Sequence, residues 1–246
     1  YGIISQSLGE KNIGIPLDKD FDIDLEMMLS AIKKYNPRLI FLSSPNNPTG
    51  NCFSSERILK IIEESKGLVV VDEAYQPFSS KMGFLPLLKD YKNLAITRTL
   101  SKIGFAALRI GFLIGDRDLI KEVNKVRLPF NINSLSQTLA IEAFRNRSII
   151  DSQIKKIISE RERVYRELKK IEGIKIYPSE SNFILFNVKN SDKVYQRLIK
   201  EGILIRNLGD SIKNGLRVTI GTYEENNIFL DALRKIVGEI NEKCQD

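Results

Sequence analysis

Three short stretches hold residue types that can do chemistry: Ser44-Pro45-Asn46-Asn47-Pro48-Thr49-Gly50, Val71-Asp72-Glu73-Ala74-Tyr75 and Thr97-Arg98-Thr99-Leu100-Ser101-Lys102. Each sits where an apolar, strand-like run ends, and in open α/β sheets ligands bind outside the carboxyl ends of strands. Taken singly, each has a plain structural explanation. Asn-Pro-Thr-Gly is good turn chemistry, because Pro sets φ and Gly permits positive φ. Asp72 after three valines could cap a helix or face solvent, and Lys102 could be one solvated lysine among many. Together the stretches put an amide, a carboxylate, a phenol and an amine at successive strand ends of one sheet. Pyridoxal phosphate uses that set: an amine for its aldehyde, a carboxylate that keeps the ring nitrogen protonated, and donors for its phenolic oxygen and phosphate.

The elements that must position these groups show in the apolar patterning. Arg38-Leu39-Ile40-Phe41-Leu42 and Leu68-Val69-Val70-Val71 are apolar on both faces, which predicts strands covered by helices on both sides. Between them Ser54-Ser55-Glu56-Arg57 opens a helix, Ile58, Leu59, Ile61 and Ile62 give it a stripe, and Lys66-Gly67 closes it, completing a βαβ unit. Leu94-Ala95-Ile96 and Ile110-Gly111-Phe112-Leu113-Ile114 read as two more strands, on either side of the loop holding Lys102. From 148 to 172 a charged stretch with Ile154, Ile157, Ile158, Val164 and Leu168 reads as a long helix connecting two domains. After it, 182–186 and 216–220 read as strands, with helices over 192–201 and 224–242. This alternation predicts an α/β fold with a mostly parallel sheet in a large domain, 1–147, followed by the connecting helix and a small α+β domain, 148–246.

Composition narrows the function classes. The 246 residues carry 38 Lys and Arg against 31 Asp and Glu, a net charge of +7, and are 42% hydrophobic and 28% charged. That balance suits a chain that buries a core. With no His in the sequence, Ser-His and Cys-His dyads and His-ligated metal sites are excluded, and no metal centre is expected. Cys52 and Cys244 are too few for a zinc cluster or a disulfide framework and point to the reducing cytoplasm. Basic and acidic residues alternate, so the positive charge reads as solvated surface and no nucleic-acid partner is expected. No stretch approaches the ~20 apolar residues that span a bilayer, so no membrane partner is expected either. Neither G-x-x-x-x-G-K-[ST] nor G-x-G-x-x-G occurs, which weakens a non-catalytic nucleotide-binding module.

Asn46-Asn47-Pro48-Thr49-Gly50, Asp72-Glu73-Ala74-Tyr75, Thr99-Leu100-Ser101-Lys102, Leu108-Arg109-Ile110-Gly111, Pro129-Phe130-Asn131-Ile132-Asn133 and Leu216-Arg217-Val218-Thr219 follow one another in this order. With them the chain resembles the fold-type I, class-II pyridoxal-phosphate-dependent aminotransferases, and among these the histidinol-phosphate aminotransferase family. The resemblance implies pyridoxal 5'-phosphate as cofactor, amino transfer between L-histidinol phosphate and 2-oxoglutarate in histidine biosynthesis, and a homodimer. It implies Lys102, Asp72 and Tyr75 as catalytic residues. Lys102 would bond the cofactor aldehyde and then move a proton between the substrate α-carbon and the cofactor C4′. Asp72 would face the ring nitrogen, Tyr75 and Asn47 the phenolic oxygen, and Thr99, Ser101 and Arg109 the phosphate. Arg217 resembles the arginine that clamps a substrate carboxylate, Arg206 is a candidate for the substrate phosphate, and Asn182 resembles a position near the active site. Against these stand a salt bridge for Arg109, an exposed strand-end arginine for Arg206 and a loop-satisfying amide for Asn182.

Two departures from the family pattern accompany the likeness. Arg109 follows Lys102 at a slightly shorter spacing than is usual. The chain also corresponds to roughly the last two-thirds of a family member, and Tyr1-Gly2-Ile3-Ile4 reads as helix interior. The N-terminal portion of the large domain, with a Gly-rich turn at the cofactor phosphate and an aromatic stacked on the ring, is therefore expected to be missing. On that reading the 246 residues alone leave apolar faces exposed and are weakly active or inactive. Threonine-phosphate decarboxylase and the aromatic and aspartate aminotransferases would keep Lys102, Asp72, Tyr75 and Asn47 as well. Pro129-Phe130-Asn131-Ile132-Asn133 favours the histidinol-phosphate group over them.

Overall fold

Continuous β-branched and apolar runs build the first of two sheets in the computed structural model, which describes residues 1–242. Cys244 lies outside the described residues. The chain divides into two units, the first made of Tyr1–Asn46, Asn51–Gln76 and Lys81–Glu142. The second comprises Asn47–Gly50, Pro77–Ser80 and the chain from Ala143 onward.

In the first unit β1 (Leu39–Ser43), β2 (Leu68–Asp72), β3 (Leu94–Thr99) and β4 (Gly111–Gly115) lie side by side in that order. The β1/β2 and β2/β3 pairs are parallel and β3/β4 is antiparallel. Helices α1 (Gly2–Ser7), α2 (Leu25–Tyr35), α3 (Ser55–Glu64) and α4 (Arg117–Val126) belong to this unit, and the division between the units falls within α5 (Ser134–Arg145), between Glu142 and Ala143. Each buried helix starts on a side-chain cap: Asp24 accepts from Met27 N–H at the head of α2, and Ser54 accepts from Arg57 N–H at the head of α3. Ile58, Ile61 and Ile62 of α3 and Ile32 of α2 then pack on Ile40, Leu42, Val69, Val71, Leu94 and Ile96. Side chains alternate along a strand, so these six strand residues occupy one face of the sheet. Leu39, Phe41, Val70 and Ala95 occupy the other.

That second face corrects the expectation of cover on both sides. β2 is buried along both faces, but on β1 Leu39 and Phe41 are 47% and 38% exposed. β1 is an edge strand whose helices lie against Ile40 and Leu42 only, so a run apolar on both faces is here buried on one. Leu128, Phe130 and Leu135, around the start of α5, are also exposed.

The second unit is built around β5 (Ile174–Ile176), β6 (Phe183–Val188), β7 (Arg206–Asn207) and β8 (Gly215–Thr219), in the order β5-β6-β8-β7 with every neighbour antiparallel. Its helices are α6 (Arg147–Leu168), α7 (Ser191–Lys200) and α8 (Tyr223–Glu242). Ile184, Phe186, Leu216 and Val218 point to one side, where Val164 and Leu168 of α6, Val194 and Leu198 of α7, and Leu233 and Ile236 of α8 close a core. The expected connecting helix is α6, which ends at Leu168, short of 172, and lies wholly in the second unit. Its last turn gives way at Lys169 because Ile171, three residues past the helix, turns in to join the same core.

Among the described residues no helix is long and apolar enough to cross a membrane, and no cluster of acidic or sulfur ligands could hold a metal ion.

Candidate functional site

The carboxyl ends of β1, β2 and β3 set Ser43, Asp72 and Thr97 abreast in register, on the face away from α2 and α3. Asp72 Oδ1 accepts the N–H of Ala74 at 3.0 Å, which fixes the carboxylate at the start of the turn. The Tyr1 hydroxyl donates to Asp72 Oδ2, and its ring stacks on Phe41 with centroids 4.0 Å apart and planes at 8°. Burial, and then the hydrogen bond and negative charge of Asp72, push the Tyr1 phenol above its ordinary value. One oxygen of Asp72 is thus anchored by backbone while the other meets a flat aromatic donor lying over the sheet. A protonated ring nitrogen asks a carboxylate for the same contact.

Lys102 lies in a tight turn beyond β3, held by Phe105 N–H donating to Leu100 O at 3.2 Å. Its Nζ stands 5.3 Å from the centroid of the Tyr75 ring, itself buried, so the amine sits against a π-face. Thr99 Oγ1 accepts from Ser101 N–H at 3.1 Å and lies 3.0 Å from Ser101 Oγ. Two hydroxyls converging at a strand end suit an anion such as a phosphate. Arg109 closes the short 3-10 turn Ala106–Leu108 with φ 57°, and its exposed guanidinium donates to Ala106 O at 3.2 Å instead of joining Thr99 and Ser101.

The second unit gathers the remaining candidates. Arg217 lies mid-strand on β8, opposite Leu185 of β6 and Arg206 of β7. It therefore sits on the face of this sheet away from the core, with its Cζ 4.8 Å over the Phe183 ring. Its Nη1 donates to Asn47 Oδ1, which turns the Asn47 amide so that Nδ2 is the donor it offers. Asn47 belongs to a loop tied to this unit by Glu180 N–H donating to Gly50 O at 2.7 Å. Gly50 has φ +83°, and a Cβ there would stand 2.7 Å from Ser179 Oγ, so both conformation and space call for glycine. Arg206 is exposed and shares the Arg217 face, and two like charges directly opposite each other repel. A bound anion removes that cost. Asn182 is half-buried at the head of β6, where its carbonyl accepts Ile220 N–H at 2.9 Å.

The structure brings Asp72, Thr97 and Thr99 to one face, Lys102 to Tyr75, Thr99 to Ser101, and Arg217 to Asn47 and Arg206. It leaves the Arg109 guanidinium on its own turn. The sequence reading passed over Tyr1 and over Arg161, a buried arginine of α6 whose Nη1 donates to Phe78 O and Ser181 O at 3.0 Å each. Arg161 had no distinguishing signal among the charges of its helix.

Residues 7–233 match the family described as aminotransferase class I and II. The chain belongs to that family. Over 240 residues this aminotransferase is 39% identical to a histidinol-phosphate aminotransferase of Caldanaerobacter subterraneus subsp. tengcongensis, covering 96% of this chain and 68% of the relative. The solved histidinol-phosphate aminotransferase of Clostridium acetobutylicum superposes with a TM-score of 0.90 at 27% identity, over 97% of this chain and 75% of that one. That of Sinorhizobium meliloti, in complex with pyridoxal-5'-phosphate, gives 0.86 at 25% identity, over 97% and 67%. The fold is accordingly that of the fold-type I transferases, and family membership implies pyridoxal phosphate. The donors present suit it, since this aminotransferase offers a carboxylate engaged by an aromatic donor, an amine beside a phenol, and paired hydroxyls at adjoining strand ends.

Proposed function

We propose that the protein is a transaminase that moves an amino group between L-histidinol phosphate and 2-oxoglutarate with pyridoxal 5'-phosphate as cofactor, in histidine biosynthesis. The observation that carries this is the placement of Asp72, Tyr75, Thr99, Ser101 and Lys102 around the ends of β2 and β3, together with the names of the relatives above. Bound pyridoxal phosphate supplies an electron sink for the pair released when the substrate α-carbon loses its proton. The chain's own residues do the rest. Asp72 Oδ2, in place of its contact with Tyr1, would hold the proton on the ring nitrogen, and Tyr75 Oη would donate to the phenolic oxygen; Asn47 Nδ2 is a further donor that the family resemblance assigns there. The Thr99 and Ser101 hydroxyls would hold the phosphate, with the Arg109 guanidinium as the third donor that the family resemblance implies.

Lys102 Nζ would hold the cofactor at its aldehyde, with loss of water, and as a free amine would take up and return the proton of the substrate α-carbon. Arg217 binds a carboxylate of 2-oxoglutarate, and Arg206, beside it in register, takes the second anionic end of that acceptor or the phosphate of the donor. Asn182 contributes at the substrate end. Both substrates carry anionic groups, which fits two arginines on one face of a sheet. We further infer a homodimer, as the family resemblance implies, working in the cytoplasm, which the low cysteine usage favours.

The test is to add pyridoxal phosphate, reduce with borohydride and locate the modified lysine by peptide mass. Label on Lys102 and its loss in Lys102→Ala are expected; label elsewhere sinks the assignment. Assaying the protein for 2-oxoglutarate-dependent consumption of L-histidinol phosphate gives the second readout. CO₂ release from an amino-acid phosphate without amino transfer would favour a decarboxylase instead.

A further inference from the structure

The face of the first sheet opposite Asp72 holds a second carboxylate that the proposed chemistry does not use. Glu73 follows β2, and its side chain has no exposed surface. Its Oε2 accepts both Nε and Nη2 of Arg98, at 2.9 and 2.6 Å, and its Oε1 accepts Phe84 N–H at 2.5 Å. Its own N–H donates to Thr97 O at 2.9 Å. A buried carboxylate requires an opposite charge and hydrogen bonds to every lone pair it can satisfy. This one meets the requirement by bridging the end of β2 to the end of β3 and by pulling the 83–84 segment underneath.

Strand alternation decides what the bridge controls. Arg98 lies between Thr97 and Thr99, so its side chain leaves the sheet on the reverse of the face those two share. Glu73 likewise lies beside Asp72 and points the other way. The pair therefore lies on the face of the sheet away from Asp72 and Thr99. It pins the two backbone segments whose opposite faces carry Asp72 and Thr99, immediately before the turns to Tyr75 and to Lys102. The fork geometry matters, because two N–H groups on one oxygen fix direction as well as distance.

We propose that Glu73 and Arg98 form a positioning pair that holds the Asp72–Tyr75 segment in register with the Thr99–Lys102 turn, and thereby sets how readily Lys102 captures pyridoxal phosphate. This rests on the reading of Lys102 as the cofactor's lysine. A pair that only stabilised the fold would act through its charge balance; a positioning pair acts through its geometry. Two variants separate these. Arg98→Met alone strands a buried charge and lowers the melting temperature. The double variant Glu73→Gln/Arg98→Met removes both charges and returns most of that melting temperature, but does not restore the fork. Arg98→Lys keeps the charge, and so the fold, while offering an ammonium in place of the two-pronged contact.

The experiment titrates pyridoxal phosphate into each variant, well below its melting temperature, and reads borohydride-trapped label on Lys102. The double variant is expected to need about tenfold more pyridoxal phosphate for half-maximal label than the parent, and Arg98→Lys several-fold more, with melting temperatures close to the parent's. Parent-like half-saturation in either folded variant overturns the positioning role. Absence of label on Lys102 in the parent overturns the functional reading and this inference with it, whereas labelled parent with unchanged variants overturns this inference alone.

Discussion

The two sheets each give one face to a core and carry the proposed site residues on the other, but they hold those groups in different ways. Arg217 lies in mid-strand, flanked in register by Leu185 and Arg206 and backed by Phe183. Asp72 and Thr99 terminate their strands and continue into turns. A mid-strand side chain is placed by the hydrogen-bonded ladder on both sides. A strand-end side chain has lost part of that ladder and depends on anchors beyond it: Ala74 N–H for Asp72, the Ser101 backbone for Thr99, and Glu73 with Arg98 behind both. Precision in the second unit should therefore follow the integrity of the core, and in the first unit the integrity of a few polar contacts.

The sharpest way to break that contrast is Phe186→Ala. Phe186 is fully buried on the core side of β6, directly behind the strand pairing that places Arg217, and its truncation is expected to cost about 3–5 kcal/mol. Chemical denaturation reads this, with Phe41→Ala as the matched change on the open face of the first sheet, expected to cost only about 1 kcal/mol. Equal losses would mean that the two sheets are held alike. Next in size is Gly83→Ala. A Cβ there would meet Glu73 Oε1 at 2.5 Å, and Glu73 cannot move aside while Arg98 and Phe84 hold it. A loss of about 1–3 kcal/mol is expected, and a melting curve identical to the parent's would show that the anchor is slack.

The smallest effect concerns pH. Glu160 on α6 accepts a two-pronged contact from Arg163 and a third bond from Asn226, whose Oδ1 and Nδ2 secure Gly221 in the turn after β8. The Arg163 bond first, then Asn226, holds the Glu160 carboxyl below its ordinary value of 4.5. Because the folded value is the lower one, the stability it contributes is present above the unfolded value and drains away as pH falls through the folded one. Glu160→Gln is thus expected to lower stability by about 1 kcal/mol at neutral pH, with the gap to the parent closing in acid. A gap that stays constant down to strongly acidic pH would remove the carboxylate from the account.

Much of this arrangement was legible in the sequence where one signal dominated. The valine run of β2 and the isoleucine stripe of α3 leave little choice of element, and Asp72, Tyr75 and Lys102 show themselves because their stretches follow apolar runs. Other parts carried weaker signals. β5 and β7 span three and two residues, too short for a period to show, and exist because β6 and β8 offer edges to pair with. The antiparallel direction of β4 is set by how the chain returns after Lys102, which no local pattern records. Helix α2 escaped although Asp24 caps it, since only Ile32 of its apolar residues is fully buried. The run 38–42 reads as covered on both faces because patterning reports what a side chain is, and not what lies against it. The same limit hid the local bond that holds the Arg109 guanidinium on Ala106.

The antiparallel return of β4 has a consequence for the order of assembly. Thr99 and Gly111 pair across about a dozen residues of chain, whereas Asp72 meets Ser43 and Thr97 only after crossovers roughly twice that long. Short loops close at lower entropic cost, so the strand pair flanking Lys102 is the kinetically local part of the sheet and the parallel pairings that deliver Asp72 are the remote part. When the whole chain refolds, the β3/β4 pair flanking Lys102 is therefore expected to close at lower entropic cost than the parallel pairings that place Asp72.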